Sequence, residues 1–317
     1  MQIRKLHPEI GAEIIGVSMA DVANDGAAYR FVRAAFEEHS VLLFRKQPIS
    51  DGTQVAYSAK FGPLETAKAA SLGEGTPFSI LTNIDPKTQQ LVPPGHKEDL
   101  RAKANQLWHT DSSFRKLPAL ASVLSARTIP GEGGETEFIS QRASWNRLSP
   151  ALREKVSNYF AWHSYAHSRG KIDPTLASQR ERDTLPPACW RMRWTNAVNG
   201  RHSLYIASHT GAIEGMEQAD ALKFIDELMA ISTEPGHAYT HVWEPGDVLM
   251  WDNRASLHRG RPWPADKARY MIRTTISCTE ADGLDSVRPP ATTSTAEVAT
   301  MTKEVIQRNS ALFSRLS

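Results

Sequence analysis

Asn105-Gln106-Leu107-Trp108-His109-Thr110-Asp111 opens a change in the character of the chain. From here on, short apolar runs at 106–110, 121–126, 135–139, 203–206, 237–242, 248–251 and 271–277 are separated by Gly, Pro and Asn turns. Many short strands with such punctuation predict a β-sandwich or barrel. On a strand, residues i and i+2 share a face, so His109 and Asp111 are expected to project together. An imidazole beside a carboxylate supplies two ligands of a facial metal triad, which then needs a second histidine. The pattern H-x-D alone is weak, because a surface histidine beside a solubilising aspartate is common.

Working outward, the segment before this stretch is mostly helical in pattern. Val22, Ala28, Phe31, Val32, Ala35 and Phe36 recur at helical spacing between residues 21 and 38, and Val41-Leu42-Leu43-Phe44 follows as a buried-type strand. A second helix is expected over 51–61, stopped by Gly62-Pro63. Residues 66–104 carry Gly73, Gly75, Pro77, Pro86, Pro93, Pro94 and Gly95 and are expected to be irregular, either an active-site lid or a surface loop. Further helices are expected at 150–159 and 217–233. The Pro/Thr/Ser-rich residues 281–294 have the composition of a linker, and 295–316 could be an amphipathic helix that contacts a second subunit or docks back onto its own domain. The expected architecture is α+β, mainly β, with one domain over 1–280, an active-site loop at 66–104 and an extension at 281–317.

Composition narrows the function classes. The 317 residues hold 37 Lys+Arg against 35 Asp+Glu, a net charge of +2, and no long basic run. That is no footprint for nucleic acid. Cys189 and Cys278 cannot make a disulfide framework or a four-thiolate zinc site. The opening MQIRKLHPEIGAEIIGV places charges and Pro8 where a signal peptide needs an apolar stretch, and no apolar run reaches membrane-spanning length. A cytoplasmic protein is expected.

The candidate third ligand is His258, 149 residues after His109, in Met250-Trp251-Asp252-Asn253-Arg254-Ala255-Ser256-Leu257-His258-Arg259-Gly260-Arg261. A polar cluster after a buried strand is where a barrel mouth places a site. Arg269 and Arg273 bracket the next strand-like stretch and share a face, suited to bidentate contact with carboxylates. Gly131-Glu132-Gly133-Gly134-Glu135-Thr136 is a poor phosphate cradle, since no GK[ST] follows, but Thr136 could offer its hydroxyl to the same carboxylate as Arg269. His163 and His167 are spaced to share a helical face, yet HSYAH lacks the glutamate of the zinc motif H-E-x-x-H.

Three stretches together, Asn105 through Phe114, Gly133-Gly134-Glu135-Thr136-Glu137-Phe138 and Met250 through Arg261, resemble the taurine dioxygenase/2,4-dichlorophenoxyacetate dioxygenase family of Fe(II)- and 2-oxoglutarate-dependent oxygenases. The likeness runs from about residue 10 to about residue 279. It implies a double-stranded β-helix, or jelly roll, flanked by helices. It further implies that His109, Asp111 and His258 bind iron, that Thr136 and Arg269 hold the distal carboxylate of 2-oxoglutarate, and that Arg273 is free for an anionic group of the substrate. Asn105, Lys68 and His209 are weaker candidates for the substrate wall. The likeness is nearer the aryloxyalkanoate branch than the sulfonate branch. The implied reaction consumes O2 and 2-oxoglutarate, releases succinate and CO2, and hydroxylates a carbon next to an ether oxygen so that the product collapses to a phenol. A taurine/alkylsulfonate-type dioxygenase and a metal-binding jelly roll that is not an oxygenase stand as alternatives. The expected partners are a small anionic substrate and further copies of the chain, as a dimer or tetramer.

Overall fold

A computed structural model describes residues 1–290 of the chain. Its largest sheet has seven strands, in the order Gln2–Lys5, Ala12–Ile15, Val41–Phe44, Val248–Asp252, Ala119–Thr128, Tyr270–Ser277 and Ser79–Thr82. All neighbours pair antiparallel except Ala12–Ile15 with Val41–Phe44, which is parallel. A three-stranded antiparallel sheet, Ala238–His241, Thr136–Ser140 and Ser256–Gly260, packs against it. Two smaller sheets and several helices complete the mixed α and β architecture.

Strand periodicity explains how one sheet serves two cores. In Val41-Leu42-Leu43-Phe44 every residue is buried. Leu42 and Phe44 join Val248 and Met250 in a core with Phe36 and Tyr57, which come from the helices Gly26–His39 and Asp51–Ala59. Val41 and Leu43 point the other way, joining Leu249 and Trp251 against Phe138 of the small sheet. A strand buried on both faces must read as a continuous apolar run, and this one does. The two helices start where their caps dictate: the Asp25 side chain accepts from the Ala27 N–H, and Ser50 from the Thr53 N–H. The edge strand Gln2–Lys5 is exposed and charged, which discourages pairing with another chain.

Several expectations are corrected. Residues 106–110 form no strand; only His109 makes an isolated bridge to His258, and the chain turns at Asp111, with Ser112 at φ 56°. The stretch 66–104 is not wholly irregular, because Ser79–Thr82 pairs with Tyr270–Ser277 and Lys97–Ala104 is helical. Four residues carry too little periodicity to announce a strand whose existence depends on a distant partner. His163 and His167 share no helical face, since His163 ends the strand Phe160–His163 and His167 lies in the helix Tyr165–Gly170. The start of the expected linker is structured: Glu280–Asp282 and Leu284–Ser286 form 3-10 turns, and Leu284 and Val287 pack in the main core. The expected helix at 295–316 lies outside the described residues. Among those described, no helix is long and apolar enough to cross a membrane.

Candidate metal centre and its cavity

The backbone clamps the two distant histidines together. The His109 N–H donates to the His258 carbonyl at 2.9 Å, and the His258 N–H returns to the His109 carbonyl at 2.8 Å. Their rings lie 4.1 Å apart, centroid to centroid, and one ligand atom each from His109, Asp111 and His258 lies within 4.8 Å of the others. All three residues are buried.

Each donor is in the protonation state a cation needs. His109 Nδ1 lies 2.7 Å from the Leu107 carbonyl, which can only accept, so the proton sits on Nδ1 and Nε2 keeps its lone pair. Burial lowers the His109 pKa to about 4 and holds His258 well below the usual imidazole range, so both rings are neutral. Burial would raise the Asp111 carboxyl, but the Arg273 guanidinium, helped by the Ser122 hydroxyl, outweighs it, and the group stays ionised. Two neutral imidazoles and one carboxylate, converging on one point, fit a divalent transition metal with open positions.

Behind the triad stands a scaffold that sequence reasoning missed. Asn253 Oδ1 accepts from the Asp111 N–H and from Trp251 Nε1, both at 3.0 Å, and so holds the turn that brings Asp111 round. Asn253 Nδ2 donates to Ser122 Oγ at 3.0 Å, and Ser122 in turn donates to Asp111 Oδ2 at 2.7 Å. Arg273 donates to the other carboxylate oxygen, Oδ1. Such partners orient ligands and are part of any metal site. Asn253 lay within a motif already singled out, but nothing about its spacing distinguished it.

Arg269 occupies another wall of the cavity that the triad lines. Its guanidinium stacks 5.0 Å from the Trp263 ring, donates only to the Gly134 carbonyl at 3.4 Å, leaves Nε without a partner, and meets no carboxylate among the described residues. Burial lowers its pKa to about 10. Gly134 lies against Arg269, and Gly133 against the segment that carries Trp263. A Cβ on Gly134 would sit 3.3 Å from Arg269 Nε, and one on Gly133 would meet the Pro262 carbonyl at 2.7 Å. Thr136 lines the same cavity, and its hydroxyl accepts from Trp243 Nε1 at 3.1 Å.

The weaker candidates also line this cavity. Asn105 follows the helix Lys97–Ala104, and its Oδ1 accepts from Arg169 at 3.3 Å. Lys68 is paired with Glu181 and lies 4.8 Å from the Tyr165 ring. His209 is buried with both ring nitrogens unpartnered, 4.8 Å from Phe114 and 6.1 Å from His109. Burial, helped by Arg169, keeps its imidazole neutral. Arg169 itself had no sequence signal, being one arginine in a short helix.

A two-histidine, one-carboxylate metal centre, with an unpaired buried arginine facing the same cavity, is the class of site these residues define. The family model "Taurine catabolism dioxygenase TauD, TfdA family" matches residues 2–275, and the chain belongs to that family. The alpha-ketoglutarate-dependent 2,4-dichlorophenoxyacetate dioxygenase of Cupriavidus pinatubonensis is 34% identical over 274 residues, 85% of this chain and 95% of the relative. The (S)-phenoxypropionate/alpha-ketoglutarate-dioxygenase of Sphingobium herbicidovorans is 31% identical over 282 residues, 87% and 94%. Among solved structures, that of AAD-2 in complex with Mn(II) and N-oxalylglycine aligns with a TM-score of 0.81 at 31% identity, covering 89% of this chain and 99% of that one.

Proposed function

We propose that this chain is an Fe(II)- and 2-oxoglutarate-dependent dioxygenase that hydroxylates a small anionic substrate, an aryloxyalkanoate or related aromatic carboxylate. The observation that carries the reading is Arg269, a buried guanidinium without a carboxylate on the wall of the triad's own cavity. A buried cation left without a counter-anion is costly unless a ligand supplies one. A metal-binding domain without a carboxylate cosubstrate leaves that charge unexplained.

His109, Asp111 and His258 hold the iron. When bound, Fe(II) supplies the redox chemistry that couples decarboxylation of 2-oxoglutarate, to succinate and CO2, with hydroxylation of a C–H bond by O2. Arg269, with its ring support from Trp263, and the Thr136 hydroxyl hold the distal carboxylate. Arg273 keeps one N–H on Asp111 and offers the rest of its fork to the substrate's carboxylate, while Asn105, Lys68 and His209 form the substrate wall. The chain's share of catalysis is thus orientation and charge: it places the substrate carbon and excludes water. For an aryloxyalkanoate, hydroxylation beside the ether oxygen gives a hemiacetal whose C–O bond breaks to release a phenol and an oxo acid, glyoxylate in the case of an aryloxyacetate. We further propose that residues 1–280 carry one catalytic domain, onto whose core Leu284 and Val287 also pack, with 66–104 over its active site. Its core is read as a double-stranded β-helix, a reading supported by the seven- and three-stranded sheets that pack with the triad between them.

The test is anaerobic. Metal-free protein given Fe(II) and 2-oxoglutarate is expected to develop a visible charge-transfer band, which aryloxy acids shift and which precedes substrate-dependent succinate once oxygen is admitted. Protein that binds iron but shows no band overturns the reading.

A further inference from the structure

The cations around the cavity fall into two groups. Lys68 and Arg101 share Glu181, Arg115 faces Glu65 at 3.3 Å, Arg261 faces Glu137 at 3.8 Å, and Arg273 faces Asp111. Among the described residues, Arg269 and Arg169 line the cavity and face no carboxylate. Arg269 is accounted for by the cosubstrate. Arg169 is not.

Arg169 is built into its place. It is 9% exposed, its Nε is buried without a partner, and its guanidinium lies 4.9 Å from the Tyr165 ring. Ring support of this kind steadies a guanidinium without neutralising it. The Asn105 amide oxygen accepts from one terminal nitrogen at 3.3 Å, a neutral contact that orients the fork but leaves the charge open. His209, also on this cavity wall, is 1% exposed with both ring nitrogens unpartnered. Two buried polar groups left unsatisfied in one cavity point to a polar ligand in contact with both.

We propose that Arg169, oriented by Asn105, binds a second anionic group of the substrate, so that the preferred substrates are aromatic acids carrying a further carboxylate on the ring. This rests on the dioxygenase reading above, in which Arg273 takes the first carboxylate. Arg273 already has Asp111 as its counter-anion, whereas Arg169 has none, so a second full charge gains most at Arg169.

The experiment compares phenoxyacetate with its ortho, meta and para ring-carboxylated derivatives, using wild type, Arg169→Gln and Arg169→Lys. Two readouts run in parallel: kcat/KM from succinate formation, and anaerobic binding of each acid by tryptophan fluorescence. In wild type at least one diacid is expected to exceed phenoxyacetate by about tenfold or more, the scale of one desolvated charge-assisted contact. In Arg169→Gln that ratio is expected to fall by about the same factor, with Arg169→Lys intermediate because the charge remains and the fork is lost. No diacid preference in wild type overturns the proposal. So does a ratio that persists in Arg169→Gln, or an equal loss for both acids, which would make Arg169 the anchor of the single carboxylate. If no aryl acid stimulates succinate formation, the dioxygenase reading for this substrate class fails, and the binding ratio still decides the role of Arg169.

Discussion

Arg254 and Arg269 are both buried arginines, and they sit in opposite kinds of surroundings. Arg254 donates to Asp252 Oδ1 and Glu37 Oε2, each at 2.9 Å, and to the Asp282 carbonyl at 3.2 Å. Burial would lower its pKa, but Asp252 and Glu37 outweigh that and raise it. Arg269 meets a single carbonyl and a ring, and its pKa falls. In the core the protein supplies the counter-anions of Arg254 itself; on the cavity wall the described residues supply none to Arg269. A charge that the fold satisfies is tied to the network around it, whereas the proposed function gives the open one to a ligand.

This contrast breaks most easily at Arg254. Arg254→Met removes the cation and leaves Asp252 and Glu37 buried, with Arg142 and Arg33 as their remaining cationic partners. The expected cost is about 3–5 kcal/mol of unfolding free energy, the range for removing one partner of a buried pair. Urea unfolding measures it, and a loss below about 1 kcal/mol would mean the network is already compensated without Arg254.

Arg269→Met should behave in the opposite way. No carboxylate is stranded, so stability is expected to hold or rise slightly, while 2-oxoglutarate binding weakens by about 2–5 kcal/mol if the carboxylate contact is desolvated. Calorimetric titration of the anaerobic protein reads the second effect and urea unfolding the first. If Arg269→Met destabilised the fold as strongly as Arg254→Met, the guanidinium would belong to the fold and the contrast would collapse.

The same difference explains what could be read from the sequence alone. Val41-Leu42-Leu43-Phe44 and Val248-Leu249-Met250-Trp251 announce central strands because burial on both faces leaves only apolar choices. His109, Asp111 and His258 stood out because imidazoles and carboxylates are chemically specific, even at a separation of 149 residues. What brings them together was not legible: the turn at Asp111 depends on the Asn253 amide, which arrives from a distant segment. Arg169 was equally silent. An arginine in a short helix looks solvated until the fold buries it without a carboxylate, and absence of a partner is a tertiary fact. The strand Ser79–Thr82 was missed for the same reason, since it exists through its pairing with Tyr270–Ser277.

Histidines offer a third way to handle a buried ionisable group, which is to discharge it. His163 is stacked on Tyr205 at 5.4 Å, its Nδ1 has no partner, and burial alone lowers its pKa from the ordinary 6.5 to about 3. The unfolded chain therefore takes up a proton on His163 below about pH 6.5, while the folded protein refuses it until about pH 3. Across that window the unfolded state binds more protons, so stability is lost as pH falls, at up to about 1.4 kcal/mol per pH unit from this one group. His163→Phe keeps a ring against Tyr205 and removes the titration. Unfolding free energies measured in urea between about pH 6.5 and pH 4 should then fall less steeply, by about that slope. His109, His209 and His258, whose pKa values burial also lowers, contribute with the same sign, so the variant flattens the profile without levelling it. An unchanged slope would mean that folded His163 accepts the proton readily. In that case burial would not distinguish it from a solvated imidazole, and the division between charges that are satisfied, left open or discharged would lose its third member.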